Sequence, residues 1–169
     1  MMSDPTPDPT LDRLFRHMAW ANAALFARLA DLPDSALALA APRNEWSVAM
    51  IVEHIVMAAG GYAARLEGVP RPERTPPPTR VAELAELAAR CAGYDARIRA
   101  QAALPEGTVE YTYAGKVIRA RSTILGQAIH HATEHRAQIA GALATNGIDG
   151  IDLDAIDLWS YGDAEGLGA

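Results

Sequence analysis

Apolar residues recur at three- and four-residue steps through most of this 169-residue chain, the period of helices that bury one face. In the first such run, Leu11, Leu14, Phe15, Met18, Leu25, Leu29 and Leu32 follow Thr10, an N-cap residue type, and Pro33 stops the pattern. The second carries Val48, Ile51, Val52, Ile55, Ala59, Tyr62 and Leu66 between Ser47, a second capping residue, and Gly68. The third starts near Thr79, reaches about Leu104, and aligns Val81, Leu84, Leu87, Cys91, Tyr94 and Ile98. The fourth follows Ser122 or Thr123 as a cap and ends at Gly147, with Ile124, Leu125, Ala128, Ala132, Ile139 and Leu143 as its stripe.

The connections carry different signals. Pro70-Arg71-Pro72-Glu73-Arg74-Thr75-Pro76-Pro77-Pro78 cannot be helical, since each proline removes a donor and restricts the residue before it. A long extended link between helices 2 and 3 follows, and such a link lets neighbouring helices run parallel. Thr108–Tyr113 and Lys116–Arg121 are rich in β-formers around the two-residue break Ala114-Gly115, which predicts a short β-hairpin leaning on the helices. The acidic stretch from Ile148 to Ala169 reads as loop, with flexible tails over 1–9 and 160–169. The expected fold is all-α: a four-helix bundle with a long connection between helices 2 and 3 and a short β-hairpin before helix 4, as one domain over 1–169.

Composition narrows the function. Half the residues are apolar, and the net charge is -6 with Lys116 the only lysine. That balance argues against nucleic-acid binding, which needs clustered cations to neutralise phosphates. No charge-free apolar run reaches about 18 residues, so no membrane span is expected. The amino terminus lacks the basic start and apolar core of a secretory signal. Cys91 is the only cysteine, which excludes an intramolecular disulfide and suits a reducing compartment. A cytoplasmic protein is expected, with Cys91 a buried small hydrophobe.

The chemistry concentrates in helix 4, in His130-His131-Ala132-Thr133-Glu134-His135-Arg136. Imidazoles four residues apart share a helix face one turn from each other, close enough to grip one metal ion. At about 100° per residue, His135 lies about 40° and His131 about 80° from the centre of the buried stripe, whereas His130 is nearly opposite. His54 lies about 80° from the centre of the helix 2 stripe, at an edge where two helices meet, and offers a third ligand. His17 sits near the helix 1 stripe and is a further candidate ligand, with a hydrogen-bonding or supporting role at the substrate pocket preferred. The acidic Asp149, Asp152, Asp154 and Asp157 lack the glycine at the sixth position of a calcium loop and read as a solvated tail.

Taken in order, His17-Met18-Ala19-Trp20-Ala21-Asn22, Trp46-Ser47 followed by His54, His131 with His135-Arg136 and Gln138, then Gly147 and the segment Asp157 to Tyr161 resemble the DinB-like (DinB/YfiT) metal-binding four-helix bundles. The resemblance covers nearly the whole chain. It implies a divalent ion, usually zinc or nickel, held by His54, His131 and His135. The chain departs from the common pattern at His130, where Asn is frequent, at Ala137, where Gly is frequent, and at His17, often Tyr. The first departure leaves open whether His130 replaces His131 as a ligand.

Characterised members similar to this chain include transferases and isomerases that use a low-molecular-weight thiol such as bacillithiol, mycothiol or glutathione, and homodimers are frequent among them. The resemblance therefore implies a metal-activated thiol attacking a small electrophilic substrate. Three imidazoles leave one position open, the arrangement of a catalytic metal site. Ala58 and Gly61, one turn along helix 2 from His54, are expected to leave space for a substrate, with close helix packing an equal alternative, and Arg136 to pair with a carboxylate of a thiol or of the protein. No side chain is assigned as catalytic. A metal-dependent hydrolase is the alternative, with Glu53 and Glu134 as candidate bases directed about 100° from the adjacent ligands; a non-catalytic stress-response metal-binding protein is another.

Overall fold

The computed structural model describes residues 8–42 and 45–167. Four long helices run over Pro9–Ala30 (α1), Val48–Glu67 (α2), Leu84–Gln101 (α3) and Arg121–Thr145 (α4). The strands Thr108–Thr112 (β1) and Lys116–Ala120 (β2) precede α4, and a short helix, Leu158–Ala164 (α5), follows it. α3 and α4 each pack against both α1 and α2, which places α1 and α2 at opposite corners of the bundle.

Local chemistry explains the boundaries. Ser47 accepts a hydrogen bond from the Met50 amide, and Gly68, at φ 69°, turns the chain out of α2 in a left-handed conformation open to glycine. At the end of α4, Ile148 N–H reaches Leu143 O and Gly147 N–H reaches Ala144 O, which satisfies two terminal carbonyls while Gly147 takes φ 78°. α1 is capped by Asp8, whose carboxylate accepts from the Thr10 and Leu11 amides, and not by Thr10; Pro9 suits the first helical position, where no donor is needed. α4 has no side-chain cap at Ala120, so neither Ser122 nor Thr123 fills that role; the Glu106 carboxylate accepts from the Ser122 amide.

The extended link joins α2 to a 3-10 turn, Val81–Glu83, that leads into α3. The hairpin is antiparallel with Thr112 opposite Lys116, so its loop holds three residues, Tyr113, Ala114 and Gly115, one more than the sequence suggests. β1 leans on α2 and β2 on α4.

The carboxy-terminal segment corrects the expectation of a loop, since a short helix forms there. Asp157 accepts from the Ser160 amide and starts α5, and Tyr161 is buried against the rings of His17 and Trp20 on α1. Glu165 is ion-paired with Arg16 and accepts from the Tyr161 hydroxyl. Seven residues are too few for helical periodicity to show, yet these anchors dock the segment. Of the expected tails, residues 1–7 and 168–169 lie outside the described residues, as do 43–44.

The interior is layered. One apolar cluster includes Leu25, Leu29, Ile51, Val52, Leu84, Cys91, Ile139 and Leu143; the other includes Phe15, Met18, Ala63, Ile98, Ile124 and Leu125. Between them, on α1, α3 and α4, fall the buried polar residues Asn22, Asp95 and Arg136. Apolar burial at both ends, worth roughly 25 cal/mol per Å², offsets the cost of this polar middle layer.

Candidate metal centre

α2 and α4 pack together, and their contact brings His54 beside His131 and His135. The i,i+4 pair on α4 has ring centroids 4.2 Å apart, and the His54 ring is 4.9 Å from that of His131 and 4.7 Å from that of His135. Nε2 of His131 lies 2.9 Å from Nε2 of His54 and 3.1 Å from Nε2 of His135. One ring nitrogen from each of the three lies within 4.8 Å of the others. Bonds of 2.0–2.1 Å to a tetrahedral ion place ligand nitrogens about 3.3 Å apart, so this triplet fits one ion without moving the backbone.

The surroundings favour the neutral, ligating form. Gln138 Oε1 lies 2.7 Å from His135 Nδ1 and can only accept, so that nitrogen carries the proton and Nε2 keeps its lone pair toward the triplet. Burial, then the neighbouring His135 and His54, push His131 down to about 4. His54 is lowered too, first by burial and then by His135. Trp46, in the segment entering α2, packs its ring edge-on to His54 at 4.7 Å and nearly parallel to His135 at 6.2 Å, walling one side.

The remaining sequence candidates take different places. His130 is exposed, outside the triplet. His17 Nε2 lies 2.9 Å from the Ile156 carbonyl, its ring against Trp20 and Tyr161, and it does not line the cleft at the triplet. Arg136 is buried in the middle layer, donating to Asn22 Oδ1 at 2.7 Å and Thr133 Oγ1 at 3.0 Å; it too is absent from that cleft. Ala58 does line it. The space over Gly61 is filled by a side chain, since a Cβ there would lie 3.0 Å from Arg71 Nη2. Gly60 is tighter, at 2.7 Å from Pro72 Cγ and 3.0 Å from the Tyr94 ring. Both glycines thus serve close packing, of the proline-rich link and of α3.

His54 and His131 open onto a cleft of about 640 Å³. Its walls include Trp46, Tyr62, Tyr113 and three arginines, Arg65, Arg71 and Arg74. Sequence reasoning missed this set: the link reads as a spacer and the aromatics as packing, and the only signal was the recurrence of arginine at 65, 71 and 74 around the prolines. Glu53 is 1% exposed, and its two oxygens accept from Arg74 Nε at 2.9 Å and Nη2 at 3.3 Å. Clefts of about 870 Å³, between α1, α4 and residues 149–156, and about 500 Å³, between α1 and α3, contain none of the three histidines. Burial, then Asp95, pushes the Cys91 thiol far above its ordinary range, so it stays protonated.

No helix among the described residues is long and apolar enough to cross a membrane. No curated protein sequence matches the chain significantly. The DinB family model matches residues 2–160, and with the three-histidine geometry in place the chain belongs to the DinB family.

Proposed function

We propose that His54, His131 and His135 hold one divalent cation, zinc or nickel, and that the protein activates a low-molecular-weight thiol of the bacillithiol, mycothiol or glutathione type for attack on a small electrophile. The observation that carries the reading is the convergence of three imidazole Nε2 atoms, two of the rings lining a cleft large enough for a small molecule. A bound ion with three histidine ligands and an open position supplies a Lewis acid that lowers the pKa of a thiol, making a nucleophile at neutral pH.

The chain's own residues do the rest. Gln138 holds the His135 tautomer, and Trp46 shields two of the three rings from solvent. Burial raises the Tyr62 phenol above its usual range, so it keeps its proton beside His131, ring to ring at 5.6 Å. Cys91 is remote from the cleft lining and protonated, so the nucleophile comes from solution. The hydrolase alternative needs a free base near the ion. Glu53 is engaged by Arg74, and Glu134 is exposed and does not line the cleft. A cytoplasmic homodimer completes the proposal, supported by the lone cysteine and by exposed Leu158 and Trp159 on α5.

The test is to load the protein with zinc or nickel and follow glutathione consumption with 1-chloro-2,4-dinitrobenzene and a panel of other electrophiles. Product formation that requires both metal and thiol supports the proposal. Ester hydrolysis without thiol contradicts it in favour of a hydrolase, and tight metal binding without turnover on any thiol contradicts it in favour of a binding protein.

A further inference from the structure

The cleft beside the triplet carries a charge pattern unlike the rest of the molecule. The chain as a whole is acidic, at -6, yet this cleft presents three guanidiniums against the single carboxylate of Glu53, which Arg74 already engages. Several other arginines end on acids, Arg97 on Glu67, Arg99 on Asp12 and Arg80 on Glu83, and others on neutral acceptors, Arg28 on the Gly150 carbonyl and Arg121 on Gln101. Arg65 and Arg71 have no carboxylate partner among the described residues. Glu110, across the adjoining crevice, is taken by Lys116 at 2.7 Å.

Arg65 is nonetheless held in place, and Arg71 lies alongside α2. The Arg65 guanidinium lies over the Tyr62 ring at 5.7 Å and over the Tyr111 ring at 5.0 Å, and Tyr62 in turn meets the His131 ring at 5.6 Å. Arg71 lies across the bare backbone of Gly61, with Nη2 and Nε 3.0 and 3.2 Å from where a Cβ would stand. A planar guanidinium fixed by aromatic faces, as Arg65 is, with its donors unclaimed by acid, is prepared to bind an anion at a reduced entropic cost, and Arg71 adds a second cation beside it.

We infer that the cleft lined by Arg65, Arg71, His54 and His131 selects an organic anion, so that the small molecule brought to the metal site carries one or more carboxylates. This rests on the reading above that the triplet serves a small molecule, and it adds the chemical class. Neutral and cationic thiols or electrophiles of similar size are disfavoured by the same cations.

The experiment is calorimetric titration of metal-free protein with succinate and with succinamide, its neutral diamide, followed by titration of zinc-loaded protein with mercaptosuccinate and with succinate. Succinate is expected to bind at least tenfold more tightly than succinamide, and R65M and R71M each to weaken succinate about tenfold. The exposed control R119M should match the wild type. Equal affinity for succinate and succinamide, or both cleft variants binding succinate like the wild type, would overturn the inference. Mercaptosuccinate binding no tighter than succinate to zinc-loaded protein would contradict the thiol proposal; a persisting preference for succinate over succinamide would still support the anion site.

Discussion

Replacing Asp95 by asparagine should change how stability depends on pH, by an amount the structure allows to be worked out. Asp95 is 2% exposed; Oδ2 accepts from Asn22 Nδ2 at 2.9 Å, while Oδ1 is buried with no protein partner among the described residues. Burial raises its pKa from 3.8 to about 6, with hydrogen bonds from Asn22 and Cys91 and the charge of Arg136 pulling the other way. Below the unfolded value both states are protonated; between 3.8 and about 6 the unfolded chain ionises first; above about 6 the folded state carries the buried charge. The stabilisation from the neutral acid is thus complete at low pH and lost as pH rises through about 6. At 1.36 kcal/mol per unit, the full loss is about 3 kcal/mol, of which about 2 falls between pH 4 and pH 7.5. D95N keeps an acceptor for Asn22 and cannot ionise. Urea unfolding of metal-free wild type and variant across this range should show the variant gaining about 2 kcal/mol relative to wild type by pH 7.5. Other titrating groups contribute almost equally in the two proteins and cancel in the comparison, and the attraction of ionised Asp95 to Arg136 is already contained in the value of about 6. Parallel stability curves, or a wild type that loses more than D95N on acidification, would refute the reasoning.

Other substitutions read the packing. Gly61→Ala should be neutral or stabilising by up to about 1 kcal/mol, since helix propensity improves and only the flexible end of Arg71 must shift. Gly60→Ala meets Pro72 and the Tyr94 ring and should destabilise by about 1–2 kcal/mol; urea midpoints distinguish the two, and the opposite order would contradict the packing described. Ser47→Ala removes the cap of α2 at a cost of about 1 kcal/mol and Ser47→Gly a few tenths, measured the same way; identical losses would argue against a capping role.

Much of the fold was legible in the chain because its signals are local. Ser47, Gly68 and Gly147 act where capping chemistry places them, and the stripe residues of all four long helices are largely buried. Helical phase also separated His131 and His135 from His130, since a 100° step turns a neighbour away from the contact face. What stayed hidden depends on distant partners. Asp8 outcompetes Thr10 because the chain enters α1 through Pro9. α5 is held by Tyr161 and Glu165 against residues some 145 positions earlier, which no short-range pattern records. Arg71 and Arg74 reach the cleft because the proline-rich link folds back over α2, with Arg71 over Gly61 where the sequence leaves substrate space and close packing equally open. Arg136, adjacent to a histidine of the triplet, points to Asn22 because the next helical position faces the middle of the bundle.

The most direct test of the central claim is a zinc titration, in competition with a colorimetric chelator, of wild type and the variants His54→Ala, His131→Ala, His135→Ala and His130→Ala. One equivalent should bind to the wild type and to H130A alike, with affinity falling by at least a hundredfold in each of the other three. Absence of stoichiometric binding by the wild type, or loss in H130A with H131A unaffected, would contradict a metal centre built on His54, His131 and His135.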